Sequence, residues 1–353
     1  MQTDAATDPT VVKISTPADI LGILPHRLGF HPRESLVVVC LEGPRRRDRL
    51  VMRVDLVAST HDEEVAADLA RRVRHAGATA AVVVCYTDAP VDGQGLARAG
   101  LVDSLVDRLG DDDIAVVEAL LVRAGCWWSY HCEDPACCAG AGSQLPIELT
   151  TAAGHYAAES VAHGAVVLDD RESLVASIEP SSHAVAAAVR EQAADEAAEM
   201  VVTTMRAGGP GAVREATVST VRRLVREWSE GRCEVTPVDA ALVSLGLRDK
   251  QARDAAMTLV LDHEPGLLVA LLRELARRTH DVDAAPVCTV LAWAAHADGE
   301  GALAAVAAER ALRCEPGYSM AELILDGLSR MLTPEAIREV ASQVRADLDE
   351  PAD

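Results

Sequence analysis

The spacing of apolar residues changes about halfway along the chain. Before roughly residue 180 they come in strand-length runs such as Ser35–Leu41 and Thr79–Tyr86; after it they recur every three to four residues. A continuous apolar run suits a strand covered on both faces, whereas the three-to-four spacing marks one face of a helix. The switch therefore predicts an α/β domain, with a mixed sheet and crossover helices, followed by an all-α helical domain. A length of 353 residues also fits two cores better than one. The expected division is a disordered tail over 1–12, an α/β domain over 13–180 and a helical domain over 181–350.

Local signals fill in the first half. Thr16-Pro17-Ala18-Asp19 reads as a helix start, with Thr as cap, Pro at the first helical position and an acid at the third, and the helix is expected to end near Pro25-His26. Ser35–Leu41 and Leu50–Leu56 flank a polar turn and predict an antiparallel hairpin. Residues 62–75 place Val65, Leu69 and Val73 on one helical stripe, and Leu96–Leu109 repeats the pattern after the strand Thr79–Tyr86. Ile114–Val122 is the next strand, with Cys126–His131 as its hairpin partner. These alternations imply crossover connections.

From Ser182 onward every periodic segment reads as helix, and Gly208-Gly209-Pro210-Gly211 reads as a loop between helices over 182–207 and 213–229. One stretch, 285–332, has the length of a tetratricopeptide-like hairpin. With Pro316 at position 32 of that 34-residue frame, Ala292, Ala304 and Ala311 fall where small residues are needed. An ordinary helical pair fits the same residues.

Composition excludes several classes of function. The formal net charge is −22, which repels phosphate backbones, and aromatic residues are only 3%, too few for base-stacking platforms. Nucleic acid is therefore not expected as a partner. No apolar run approaches the roughly 20 residues needed to span a bilayer. The polar, acidic N-terminus lacks the pattern of a secretory leader, so a cytoplasmic protein is expected. Nine cysteines, an odd number scattered from Cys40 to Cys314, suit a reducing compartment.

The densest cluster of chemistry-bearing residues is Cys126-Trp127-Trp128-Ser129-Tyr130-His131-Cys132, continuing to Cys137-Cys138. His131, Cys132, Cys137 and Cys138 are candidates for a zinc site, although adjacent thiols are awkward to aim at one metal. Cys132 can instead pair with Cys137 or Cys138 through the Asp134-Pro135 turn, or all can be plain thiols in a loop. Trp127 and Trp128 face opposite sides of a strand, so one of them, with Tyr130, is a candidate partner-binding surface. A second candidate is the loop after the strand at 79–86, carrying Asp88 and Asp92, because open α/β sheets bind ligands at the carboxyl ends of strands. Asp55, Asp88 and Glu118 lie at or inside strands that are candidates to converge as paired carboxylates. Arg222-Arg223-Leu224-Val225-Arg226 reads as a solvated, salt-bridged helix face.

Ile14-Ser15-Thr16-Pro17-Ala18-Asp19-Ile20, then Leu28-Gly29-Phe30-His31-Pro32 with Ser35-Leu36-Val37-Val38, and the Tyr130-Cys132-Cys137-Cys138 cluster together resemble the bacterial domain-of-unknown-function family 4192. The resemblance covers most of the chain, including the Trp293–Tyr318 region, and implies an architecture without implying an activity, cofactor or catalytic residue. The leading expectation is a non-enzymatic interaction or regulatory module that takes a protein partner or a small ligand. The alternative is a metal-binding or thiol-redox protein, with zinc as the candidate cofactor, using the Cys126–Cys138 loop.

Overall fold

The computed structural model describes residues 16–44, 46–89, 95–132, 142–145, 150–162 and 166–349. It divides into two compact units, Met1–Val167 and Leu168–Asp353.

The first unit is built on a six-stranded mixed sheet. Strands β1 (Ser35–Glu42), β2 (Arg47–Asp55), β3 (Ala80–Tyr86), β4 (Ala115–Arg123), β5 (Cys126–Ser129) and β6 (Ser143–Gln144) lie in the order β2-β1-β3-β4-β5-β6. β3 and β4 are parallel and every other neighbouring pair is antiparallel. A parallel pair needs a crossover, which α3 (Ala99–Asp111) supplies, while α2 (Asp62–His75) links β2 to β3 and packs against α3. Every residue of β3 is buried, as its unbroken apolar run requires.

The first helix, α1 (Pro17–Leu28), begins as the sequence dictates. Thr16 Oγ1 accepts from the Asp19 amide, and the Asp19 carboxylate accepts in return from the Thr16 amide. It runs past Pro25 to Leu28 rather than stopping near Pro25-His26, because Leu24 and Leu28 are buried and Gly29 supplies a left-handed cap. α3 starts at Ala99 rather than Leu96, since Arg98 takes a left-handed conformation (φ 60°). Strand β6 and helix α4 (Thr151–Ala162), which packs on α1, are not anticipated by the sequence patterns.

Apart from a single β-bridge residue at Leu168, the regular elements described in the second unit are helices: α5 (Arg171–Ala176), α6 (Ala184–Ser229), α7 (Pro237–Gly246), α8 (Lys250–Met257), α9 (Pro265–Arg278), α10 (Ala284–Asp298), α11 (Gly301–Cys314), α12 (Ser319–Ser329) and α13 (Pro334–Asp349), with short 3₁₀ turns between some of them. The expected loop at Gly208–Gly211 is instead a kink inside α6. Only Gly209 leaves helical geometry (φ 71°, ψ −168°), and Pro210 opens the second segment, where its missing N–H costs nothing. The unit is organised around α10, from Ala284 to Ala297 buried on every side and packed by α7, α8, α9, α11, α12 and α13.

The division at Val167/Leu168 leaves Leu168–Pro180 with the helical unit, and side chains explain why. Arg171 pairs with Glu309 (2.7 Å), Arg313 pairs with Glu179, and the buried Arg310 donates to the carbonyls of Ile178 and Ala276. Among the described residues no helix is long and apolar enough to cross a membrane.

Candidate ligand site at the carboxyl edge of the sheet

Parallel strands β3 and β4 end at the same edge, and antiparallel pairing brings the start of β1 and the end of β2 there too. The register sets Ser35 opposite both Asp55 and Tyr86, and Tyr86 opposite Val122. This is the edge at which open α/β sheets place their ligands.

Glu34 fastens the edge together. It sits just before β1 with a left-handed backbone (φ 37°), and its carboxylate accepts from Thr87 Oγ1 (2.9 Å) and from the Asp88 amide (2.6 Å). Its own carbonyl accepts from the Leu56 amide (2.9 Å), and the Thr87 amide donates to Val122 (3.1 Å). Four strands are thus tied at one point, and Asp88 stands exposed on the tied loop. Asp92 lies outside the described residues. On the other side of that loop, Arg98 donates to the Val57 carbonyl (2.8 Å) and pairs with Asp62.

Strand alternation puts Ser35, Arg53 and Tyr86 on one face of the sheet at this edge. The Arg53 guanidinium binds Asp55 (2.5 Å) and lies 5.7 Å from the centre of the Phe30 ring. The Ser35 hydroxyl, the Tyr86 hydroxyl and Arg53 Nε are all buried and without a hydrogen-bond partner. Burial without a partner raises the Tyr86 phenol above its ordinary range.

The tryptophan and cysteine cluster leads away from this edge. Val122 pairs with Trp127 and Leu121 with Trp128, so the two rings sit on opposite faces, each half-buried. The Trp128 ring closes on Gly142, where a Cβ would meet it at 2.4 Å and the backbone is left-handed (φ 71°), so only glycine fits. Tyr130 donates to the Ala97 carbonyl (2.6 Å), ahead of α3 and beside the buried Cys85, whose thiol is pushed up to about 11 by burial. His131 is exposed and Cys132 half-buried. Cys137 and Cys138 lie outside the described residues. Among the described residues no group of three His, Cys, Asp or Glu side chains could hold a metal ion.

The three candidate carboxylates do not converge. Asp55 ends β2, two strands away from β3. Glu118 lies inside β4 opposite Val82, well back from the edge, and accepts from Ser129 Oγ (2.7 Å). Arg223 pairs with Glu227 (2.8 Å) and Asp239, as expected of a salt-bridged helix face. Glu34 and Arg98, which hold the edge, escape sequence reasoning: each lies in a loop outside any periodic pattern, and its partners lie 36 to 54 residues away.

A mixed sheet with a loop-lined carboxyl edge, joined to a helical unit, defines the class of this protein. The chain belongs to the family described as Domain of unknown function (DUF4192), whose model matches residues 17–335. No curated protein and no solved structure matches it.

Proposed function

We propose that the chain is a non-enzymatic interaction or regulatory module of the cytoplasm, taking a small polar ligand or a protein partner at the carboxyl edge of its sheet. One observation carries this reading: Glu34, Arg98 and Tyr130, the long polar side chains that reach across that edge, are spent on holding its loops in place. Glu34 binds Thr87 and Asp88, Arg98 binds Val57 and Asp62, and Tyr130 binds Ala97. A general acid or base needs a lone pair or proton free to reach a substrate, whereas recognition needs a frame that does not move. The unpartnered hydroxyls of Ser35 and Tyr86 favour a polar ligand over an apolar one.

The tetratricopeptide-like reading of 285–332 gains support from α10 and α11, which have hairpin length and are joined by Gly299 and Glu300, with Ala292, Ala304 and Ala311 buried. The burial of α10 on every side moves any partner surface to the outer helices, such as α12 with its exposed Leu323.

Hydrogen exchange of the full chain, with and without the small-molecule fraction of a cell extract, tests the proposal. Slowed exchange at Thr87 and Asp88, lost in Glu34→Ala, is the expected result. Unchanged exchange at that edge, or protein-dependent consumption of an extract component that Asp88→Asn abolishes, would count against it.

A further inference from the structure

Among the described residues seven buried side-chain polar atoms have no hydrogen-bond partner. Three of them, Ser35 Oγ, Tyr86 Oη and Arg53 Nε, share one face of the sheet at its carboxyl edge. The other four belong to Arg27, Arg98, His296 and Arg310, side chains tied to Asp48, Asp62, the Leu332 carbonyl and Asp281. Ser35 and Tyr86 carry one polar side-chain atom each, so neither side chain makes any hydrogen bond.

Register fixes the placement. Ser35 stands directly opposite Tyr86, a pairing that sets two Cβ atoms about 4.5–5.5 Å apart, and Arg53 is the diagonal neighbour of Ser35 on β2. Ser35 is fully buried, Tyr86 is 9% exposed and the Arg53 side chain 13%. Asp55 (2.5 Å) and the Phe30 ring steady the Arg53 fork, leaving its Nε–H buried and unmatched. A buried donor that meets neither water nor an acceptor forfeits its hydrogen bond, so the three are destabilising as they stand.

The chemistry that would satisfy them is narrow. Arg53 Nε can only donate, and each hydroxyl has a proton to give, the Tyr86 phenol being kept protonated by burial. Asp55, the counterion of Arg53, is 70% exposed and screened by water, so the buried end of that pair is positive. A cation is therefore repelled. A neutral carbonyl oxygen has two lone pairs for three donors, whereas an oxyanion presents several acceptor oxygens and gains charge-assisted bonds. Resting on the reading of this edge as a ligand site, we propose that the ligand carries an oxyanionic group, carboxylate or phosphate, accepting from Ser35 Oγ, Tyr86 Oη and Arg53 Nε. Because these atoms are closed off from water, the anion binds a minor, opened form of the edge and draws the population towards it.

The test titrates phosphate, sulfate and acetate into the full chain and follows thermal melting at constant ionic strength, with chloride as the balancing salt. Phosphate and sulfate stabilise folded proteins in general, so the readout is the difference between wild type and variants. The expected result is a saturable rise in melting temperature with at least one anion, its apparent affinity weakened about tenfold or more in Tyr86→Phe, Ser35→Ala and Arg53→Lys. A response to phosphate and sulfate assigns a phosphoryl group, and a response to acetate a carboxylate. Without anion, Tyr86→Phe and Ser35→Ala should melt at or above the wild-type temperature, because each removes a stranded hydroxyl; a hydroxyl serving structure alone would lower it. No saturable response to any of the three anions overturns the proposal, as does an equal response in wild type and variants, or melting of both hydroxyl variants below wild type. Should Arg53→Lys fail to fold, the two hydroxyl variants decide. If no anion binds while a cell extract still slows exchange at Thr87 and Asp88, the oxyanion assignment falls and the edge remains a ligand site of another chemistry.

Discussion

Arg310 reaches from α11 to the backbone carbonyl of Ile178, 132 residues earlier in the chain. The same side chain also donates to Ala276 (3.0 Å) and pairs with Asp281 (3.0 Å), while being itself fully buried. One guanidinium therefore joins the segment after α5, the end of α9, the turn before α10, and α11. The planar fork spreads its donors from separate nitrogens towards these three acceptors, a span that the single nitrogen of an ammonium does not have.

Arg310→Met fills similar space without the donors, stranding the carbonyls of Ile178 and Ala276. The expected loss is about 2–4 kcal/mol by urea unfolding, below the full figure for a buried pair because Asp281 regains water. Arg310→Lys should recover less than half of it. A loss under about 1 kcal/mol in Arg310→Met would mean that water replaces the guanidinium at those carbonyls.

At Gly246, α7 packs tightly against α6. A Cβ there would sit 1.9 Å from Thr217 Oγ1, and that hydroxyl is itself fixed by a bond to the Val213 carbonyl (2.8 Å). Gly246→Ala should destabilise by about 1–3 kcal/mol, the range for overpacking, despite the better helix propensity of alanine. Adding Thr217→Ala should restore most of the loss. Additive effects in the double-mutant cycle would show that the two residues do not collide.

Glu34 combines a costly backbone conformation with a useful carboxylate. Glu34→Ala keeps the left-handed strain and removes the acceptor for Thr87 and Asp88. Glu34→Gly removes both. The alanine variant should lose about 1–2 kcal/mol and show faster exchange at Asp88, and the glycine variant should be the more stable of the two. The reverse order would mean that strain at Glu34 is negligible.

Strands β1 and β3 were legible because they are nearly unbroken Val, Ala, Leu and Cys runs that admit burial on both faces, and the Thr16 cap because all its atoms lie within four residues. Strand β6 has only two residues, and α3 loses its first turn to one arginine's tertiary contacts; neither leaves a periodic trace. The loop carrying Asp88 could be placed at a strand's carboxyl end from local pattern alone. Its clamp could not, because the Glu34–Asp88 bond exists only through the antiparallel register that sets Ser35 against Tyr86.

Thiol reactivity should follow burial rather than sequence clustering. Burial pushes Cys40 and Cys288 up to about 12 and Cys85 up to about 11, so all three stay protonated and shielded at neutral pH. Cys233 is exposed. A short pulse of thiol reagent followed by peptide mapping should find Cys233 modified and Cys40, Cys85 and Cys288 untouched until denaturant is added. Labelling of Cys288 in the native protein would show that α10 opens.

Stability should fall as the solution becomes mildly acidic. His296 is buried in α10, its Nε2 donating to the Leu332 carbonyl (2.8 Å) while Nδ1 has no partner, and burial holds its pKa below the ordinary 6.5. His26 is lowered in the same way, by burial first and by His31 second. In the unfolded chain both rings take up a proton near 6.5, whereas in the folded chain they resist until the pH is lower. Across that window the unfolded state holds more protons, so their stabilising contribution is complete above the unfolded value and is lost as the pH falls below it. Asp48 and Glu300, raised by burial, act in the opposite direction nearer the carboxylate range, which confines a clean measurement to between about pH 7.5 and 5.5. The urea midpoint should drop over that interval, and His296→Gln, whose amide can still donate to Leu332, should flatten the drop. An unchanged slope in the His26→Gln, His296→Gln double variant would place the pH dependence elsewhere in the chain.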